Sequence, residues 1–143
     1  MKTVADILAG KGRQVLSIPA DASLMEAARA MHDQGVGALV ILDGERLAGI
    51  LAERDLVRHL GSDGAVGDRV AAVMHGEVRC VAPGDSIRAC MALMTDRRIR
   101  HLPVLEHGRL VGIVSIGDVV KSQMQAQDFL IEQLGTYISG SGI

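Results

Sequence analysis

The chain repeats itself. Residues 15–58 lie on residues 78–121 without a gap, at a constant displacement of 63 positions. Identical pairs include Ser23 and Ser86, Met31 and Met94, Leu39 and Leu102, Gly49 and Gly112, Ile50 and Ile113, and Asp55 and Asp118. Self-similarity at a fixed displacement demands a fold assembled from equivalent supersecondary units. The apolar pattern repeats too: Leu24, Ala27, Ala28 and Met31 mark one helical face, and Ile87, Cys90, Met91 and Met94 mark its counterpart.

Each copy reads strand, helix, strand, strand, helix. Ser23 followed three residues later by Glu26 is a capping-box signal for the first long helix, whereas Ser86, followed by Ala89, caps alone. The apolar runs 39–42 and 47–51 flank Asp43-Gly44-Glu45-Arg46, and 102–105 and 110–114 flank Glu106-His107-Gly108, which predicts two antiparallel hairpins with tight turns. Short helices are expected to begin near Glu53 and Ile116. One copy alone buries too little surface to be stable, so the two are expected to pack as one module. In chain order the expected division is 1–61, a first repeat with an N-terminal helix; 62–77, a linker opened by the Gly61-Ser62-Asp63-Gly64 boundary and holding a short helix over about 66–74; 78–122, the second repeat; and 123–143, a C-terminal helix and tail.

Composition removes several function classes. Aromatic residues make up 1% of the chain, Phe129 and Tyr137 alone, so the core is aliphatic and no platform exists on which nucleobases could stack in series. A net charge of -2 supplies no basic field for nucleic acid or an anionic membrane. No run of 18 apolar residues occurs, and Asp6 interrupts the N-terminal apolar stretch, so neither a membrane span nor a secretory leader is expected, and a cytoplasmic location is. Cys80 and Cys90 fit neither a disulfide framework nor a redox pair and are expected reduced and packed. No nucleophile with its base, metal cluster, facing carboxylate pair or Gly-rich phosphate loop is legible, so no enzyme is expected. His75-Gly76-Glu77 superficially matches the start of a zinc deaminase signature whose second half is absent, and is expected to be a turn. His32, His59 and His107 read as exposed.

The motifs Gly49-Ile50-Leu51-Ala52-Glu53-Arg54-Asp55 and Gly112-Ile113-Val114-Ser115-Ile116-Gly117-Asp118, with Arg98-Ile99-Arg100-His101-Leu102-Pro103-Val104, closely resemble a tandem cystathionine-β-synthase-type (CBS) domain pair, or Bateman module, over residues 4–124. The resemblance implies an α+β fold in which two β-α-β-β-α repeats pack through their sheets around a pseudo-two-fold axis. Such pairs resemble the regulatory modules of AMP-activated kinase, inosine-monophosphate dehydrogenase and some channels and transporters, which typically bind adenosine-containing ligands in clefts between the copies. With no effector domain in this sequence, the resemblance implies a stand-alone cytoplasmic sensor, a homodimer acting on an unidentified protein target. It needs no cofactor; an adenosine nucleotide is its regulatory ligand, with AMP, ADP or ATP first and NAD or S-adenosylmethionine next.

A carboxylate at a helix start can accept hydrogen bonds from both hydroxyls of a ribose, and Asp55 and Asp118 hold that position. Ser115 can give a hydroxyl to phosphate beside backbone N–H groups at the helix start, although Ser-x-x-Asp is equally a common helix-start pattern. The resemblance implies one site uniting Asp55 with Arg100, His101 and Leu102, and another uniting Ser115 and Asp118 with Lys11, Leu16, Gly37, Ala38 and Leu39. Backbone near Leu16 and Ala38 would hold the adenine edge, and Arg100 a phosphate. Arg54 is included as a phosphate contact; Glu53 could instead pair with it. Arg97 and Arg98 read as surface. The copies depart from the family pattern in complementary ways: Ala52 stands where a hydroxyl is usual, and Gly37 and Ala38 stand where the second copy has Arg100 and His101. The sites are therefore expected to be unequal. An apolar stripe at Met124, Leu130, Ile131, Leu134, Tyr137 and Ile138 predicts a C-terminal helix that pairs between chains before Gly140-Ser141-Gly142 frays. The competing expectation is a dimerisation or protein-interaction scaffold with degenerate clefts.

Overall fold

The computed structural model describes residues 2–141. In chain order its elements are α1 (Val4–Lys11), β1 (Ser17–Pro19), α2 (Leu24–Gln34), β2 (Ala38–Asp43), β3 (Arg46–Ala52), α3 (Glu53–Gly61), a 3-10 turn (Val70–Ala72), α4 (Ile87–Arg97), β4 (His101–Glu106), β5 (Arg109–Ser115) and α5 (Ile116–Ser141). The mixed α+β composition and both hairpins agree with the sequence reading. The elements form two compact units, one from Gln14–Cys80 and the other from Met1–Arg13 with Val81–Ile143.

In the Gln14–Cys80 unit, β1 runs parallel to β2, and β2 pairs antiparallel with β3 from Ala38↔Ala52 to Asp43↔Arg46. Alternation along the strands sends Leu39, Ile41 and Leu51 into one core with Ile18, while α2 contributes Leu24, Ala27 and Met31 at helical spacing. Each large aliphatic side chain buried here stabilises the unit by about 1.5–3 kcal/mol. In the second unit β4 and β5 pair from His101↔Ser115 to Glu106↔Arg109, and Leu102, Val104 and Val114 meet Ile87, Cys90 and Met94 of α4. Cys90 is a core residue and Cys80 is partly buried; both are free thiols, and burial raises the pKa of each. Met91, expected on the buried face of α4, is exposed at 37%.

The opening strand of the second copy shrinks to one parallel bridge, Val81↔Val104, the equivalent of Ile18↔Ile41. The cause is Pro103. Its equivalent, Val40, donates its N–H to the Leu16 carbonyl (3.1 Å), and proline has no N–H to extend the ladder. The expected helix over 66–74 is likewise reduced to the 3-10 turn Val70–Ala72.

Chain order placed α1 with the first copy, but it packs within the unit built by the second, where Val4, Ile7 and Leu8 join the core. The 3-10 turn before the second copy joins the first copy's core through Val70. Three backbone bonds correspond: Val4 N–H to Asp85 (2.9 Å), Ala5 N–H to Pro83 (2.9 Å) and Ile87 N–H to Lys2 (3.2 Å) match Val70 N–H to Ala22 (2.9 Å), Ala71 N–H to Ala20 (3.3 Å) and Leu24 N–H to Asp68 (2.8 Å). Each unit is thus one repeat closed by the segment that leads into the other. Gly49 and Gly112 permit this close approach: a Cβ on Gly112 would meet Leu8 Cδ2 at 2.7 Å, and one on Gly49 would meet Met74 Sδ at 2.6 Å and the His75 carbonyl at 2.7 Å.

Helix ends repeat as well. Ser23 accepts the Glu26 N–H (3.1 Å) and Ser86 the Ala89 N–H (3.0 Å), so both serines cap by the same bond despite the difference at the third position. α2 ends at Gly35 in the left-handed region, and α4 ends at the equivalent Arg98, also left-handed with φ of 54°. His59, expected to be exposed, is partly buried and bonded to Asp68 (2.7 Å). No helix among the described residues is long and apolar enough to cross a membrane. The C-terminal helix of the sequence reading is the 26-residue α5, along which Met124, Leu130, Ile131 and Leu134 are exposed; the side chains of Tyr137 and Ile138, and Gly142, lie outside the described residues.

Two stability measurements check this account. Arg98→Gly removes a Cβ from a left-handed cap and is expected to stabilise the protein by about 0.5 kcal/mol in urea unfolding, the relieved strain exceeding the added freedom of the unfolded chain. Gly49→Ala, which drives a Cβ against a backbone carbonyl, is expected to cost about 2–3 kcal/mol, and Gly112→Ala, which meets the end of a leucine side chain, less.

Candidate functional site

In both copies the last strand runs directly into a helix. β3 ends at Ala52 and α3 begins at Glu53; β5 ends at Ser115 and α5 begins at Ile116. The first N–H groups of a helix have no partner within it, which makes such a junction a place where an acceptor is needed. The neighbouring strand start supplies one: the Glu53 N–H bonds the Gly37 carbonyl (2.9 Å), and the Ile116 N–H bonds the Arg100 carbonyl (2.8 Å). The aspartate in the first helical turn supplies another. Asp55 Oδ2 accepts the Ala52 N–H and Asp118 Oδ2 the Ser115 N–H, both at 2.8 Å. The backbones of the two turns therefore match.

Their side chains do not. Ser115 Oγ accepts the Asp118 N–H (3.1 Å) and completes a reciprocal cap, whereas Ala52 has no oxygen to offer. Lys11 Nζ donates to Asp118 Oδ2 at 2.6 Å and to the Ile113 carbonyl at 3.0 Å. Burial of Asp118 pushes its pKa up, but the Lys11 hydrogen bond, the Ser115 N–H, the Lys11 charge and the Ser115 hydroxyl together outweigh it and hold the carboxyl below its ordinary value. Asp55 is more enclosed, its side chain 5% exposed against 23% for Asp118. The His75 ring Nε2 lies 2.9 Å from Asp55 Oδ1, and Arg58 Nη1 stands 4.0 Å from the same oxygen.

Of the residues singled out in the sequence, Lys11 and Ser115 both lie within hydrogen-bond reach of Asp118. Arg100 is exposed, and His101, at the head of β4, stands opposite Ser115 in the ladder. Leu39 and Leu102 are fully buried core residues, so only their backbone could meet a ligand. Ala38 is buried opposite Ala52, and Leu16 is partly buried with its carbonyl bonded to Val40. Gly37 lies under the Glu53 carboxylate, which a Cβ at that position would approach to 3.5 Å. Arg54 is exposed, and no ion pair joins it to Glu53 among the described residues. Asp55 belongs to one unit and Arg100, His101 and Leu102 to the other; Asp118 and Lys11 belong to one unit and Leu16, Gly37, Ala38 and Leu39 to the other. Beside the Asp55 turn an open groove of about 500 Å³ is lined by Met31, His32, Val36, Gly37, Glu53 and Leu56, among others.

The residue that sequence reading missed is His75, read there as part of a turn. It lies outside the gapless repeat, so no equivalent position flagged it. Its backbone exchanges two hydrogen bonds with Ile50, which brings the ring to Asp55.

A family model described as the CBS domain matches residues 4–62 and 70–125. The two matches begin at Val4 and Val70, the residues that the lead-in hydrogen bonds equate. A curated relative, the mitochondrial CBS domain-containing protein CBSX3 of Arabidopsis thaliana, is 34% identical over 96% of this chain and 72% of its own. The crystal structure of a signal-transduction protein with CBS domains from Burkholderia ambifaria matches at a TM-score of 0.84 and 41% identity, covering 88% of this chain and 96% of that one. A CBS domain protein from Pyrobaculum aerophilum, crystallised with AMP, shares the fold at a TM-score of 0.75 and 24% identity, over 82% of this chain and 89% of its own.

The Lys11 pair makes a pH-dependent prediction. Because Asp118 titrates below its ordinary 3.8 in the folded chain, the stability it contributes is fully present above that value and is lost as pH falls through the lower folded value. Lys11→Met is expected to cost about 1 kcal/mol at neutral pH. Urea unfolding at pH 7 and at pH 3 checks this, the difference between wild type and variant shrinking at the acid value.

Proposed function

Because this chain belongs to the CBS-domain family, we propose that it is a regulatory module that binds an adenosine nucleotide and changes its association with a target protein in response. It acts as a homodimer in the cytoplasm, and it is a sensor, not a catalyst. The observation that carries this reading is the Asp118 turn: a carboxylate, a lysine ammonium and a serine hydroxyl held together at a helix start. The carboxylate suits a ribose diol, and the lysine and the helix N–H groups suit phosphate. Asp55 and Arg54 in the first copy, backbone at Leu16, Gly37, Ala38 and Leu39, and Arg100, His101 and Leu102 are the further proposed contacts, as the family resemblance implies. AMP is the first ligand to test, since a protein of this fold holds it.

A second reading, an interaction scaffold without a ligand, is favoured by one observation. Along α5, Met124, Phe129, Leu130, Ile131 and Leu134 are each more than half exposed, and exposed apolar side chains on one helix suit association between chains.

Thermal unfolding against AMP, ADP, ATP, NAD and S-adenosylmethionine separates the two. A ligand at a hundred times its Kd adds about 2.7 kcal/mol of stability and raises Tm accordingly. The expected outcome is a shift with AMP that disappears in Asp118→Ala. No shift with any adenosine compound, beside a dimer by sedimentation equilibrium, favours the scaffold.

A further inference from the structure

The two aspartate turns differ in how much of the carboxylate is open. Asp118 commits Oδ2 to Lys11 and the Ser115 N–H, while its Oδ1 accepts no hydrogen bond among the described residues. Asp55 has both oxygens engaged, Oδ2 by the Ala52 N–H and Oδ1 by the His75 ring, and almost nothing of it reaches solvent. A vicinal diol binds a carboxylate by placing two O–H donors within about 3 Å of its oxygens. At Asp55 the ring nitrogen stands where such a donor would have to come.

Resting on the nucleotide-binding reading above, we infer that His75 closes the Asp55 turn, so that the resting chain takes a nucleoside diol at Asp118 and gains a second site only when the His75 ring withdraws. The ring is built to withdraw without disturbing the fold. What is fixed is the backbone, by the reciprocal bonds between His75 N–H and the Ile50 carbonyl (3.0 Å) and between Ile50 N–H and the His75 carbonyl (3.1 Å). The side chain itself is 59% exposed and can rotate into solvent. The segment before it is held separately, by His59 and the Ala65 N–H on Asp68 (2.7 and 2.9 Å), so release of His75 does not release the segment. A ligand at this turn must replace the bond that the ring gives up. Binding at Asp55 is accordingly weaker than at Asp118, and His75 sets the difference.

Two measurements test this. Carbodiimide coupling of glycinamide to carboxyl groups, read by peptide mass spectrometry, reports carboxylate access without any ligand. Asp118 is expected to couple faster than Asp55 in the wild type, and Asp55 coupling is expected to rise severalfold in His75→Ala. Equal coupling of the two in the wild type, or an Asp55 rate unchanged in the variant, overturns the inference. Calorimetric titration with AMP then counts sites. The wild type is expected to bind a single AMP per chain, lost in Asp118→Ala, and His75→Ala to bind a second that is lost when Asp55→Ala is added. A wild type whose AMP is lost in Asp55→Ala but kept in Asp118→Ala overturns it. Absence of AMP binding in every variant, with the coupling pattern as expected, removes the nucleotide reading and leaves the closure by His75 standing.

Discussion

Three backbone hydrogen bonds between residues 2–5 and 83–87, and three in the same places between 68–71 and 20–24, close the two units. They matter because a single repeat leaves the start of its long helix and the turn before it without partners, and unpaired backbone groups away from water are costly. The lead-in segments satisfy those groups and bring apolar side chains with them, Val4, Ile7 and Leu8 in one unit and Val70 in the other. The rest follows from their paths. α1 packs on β5 and α5, so Lys11 at its end reaches Asp118; residue 75 pairs with Ile50, so its ring reaches Asp55.

What could be read from the sequence was what is local. Ser23 and Ser86 cap within three residues, Gly35 ends α2, and both hairpins turn where Gly44 and Gly108 allow positive φ. The repeat added the equivalence of the copies, and with it Asp55 and Asp118. The exchange of lead-in segments was not legible, because it joins irregular stretches about eighty and about fifty residues apart through backbone groups that every residue carries. The loss of a strand in the second copy turned on one missing N–H, at Pro103, within an apolar run that otherwise matches its counterpart in the first copy. Lys11 entered only through family resemblance. His75 entered by neither route, since the repeat has no matching histidine and its contact with Asp55 depends on that same long-range pairing.

Each aspartate serves two demands at once. As a helix cap it is worth on the order of 1 kcal/mol wherever it occurs, and that use fixes Oδ2 on a backbone N–H. Around that shared bond the two copies differ: at Asp118 a lysine joins the same oxygen and leaves Oδ1 open, whereas at Asp55 an imidazole takes the other oxygen. A duplicated scaffold can hold its fold constant under such divergence because the bond that both copies share, from Oδ2 to a backbone N–H, is the one that caps the helix.

The division of the chain between the units has a consequence for synthesis. The unit of residues 14–80 is one uninterrupted stretch, whereas the other is assembled from a stretch that precedes it in sequence and one that follows it. As the polypeptide leaves the ribosome, the inner unit can close once Cys80 has emerged, while Val4, Ile7 and Leu8 have no core to enter until β4 and β5 follow. For that interval α1 is an amphipathic segment awaiting its partner. The module therefore matures from the middle outward, with its first helix among the last elements to find its place.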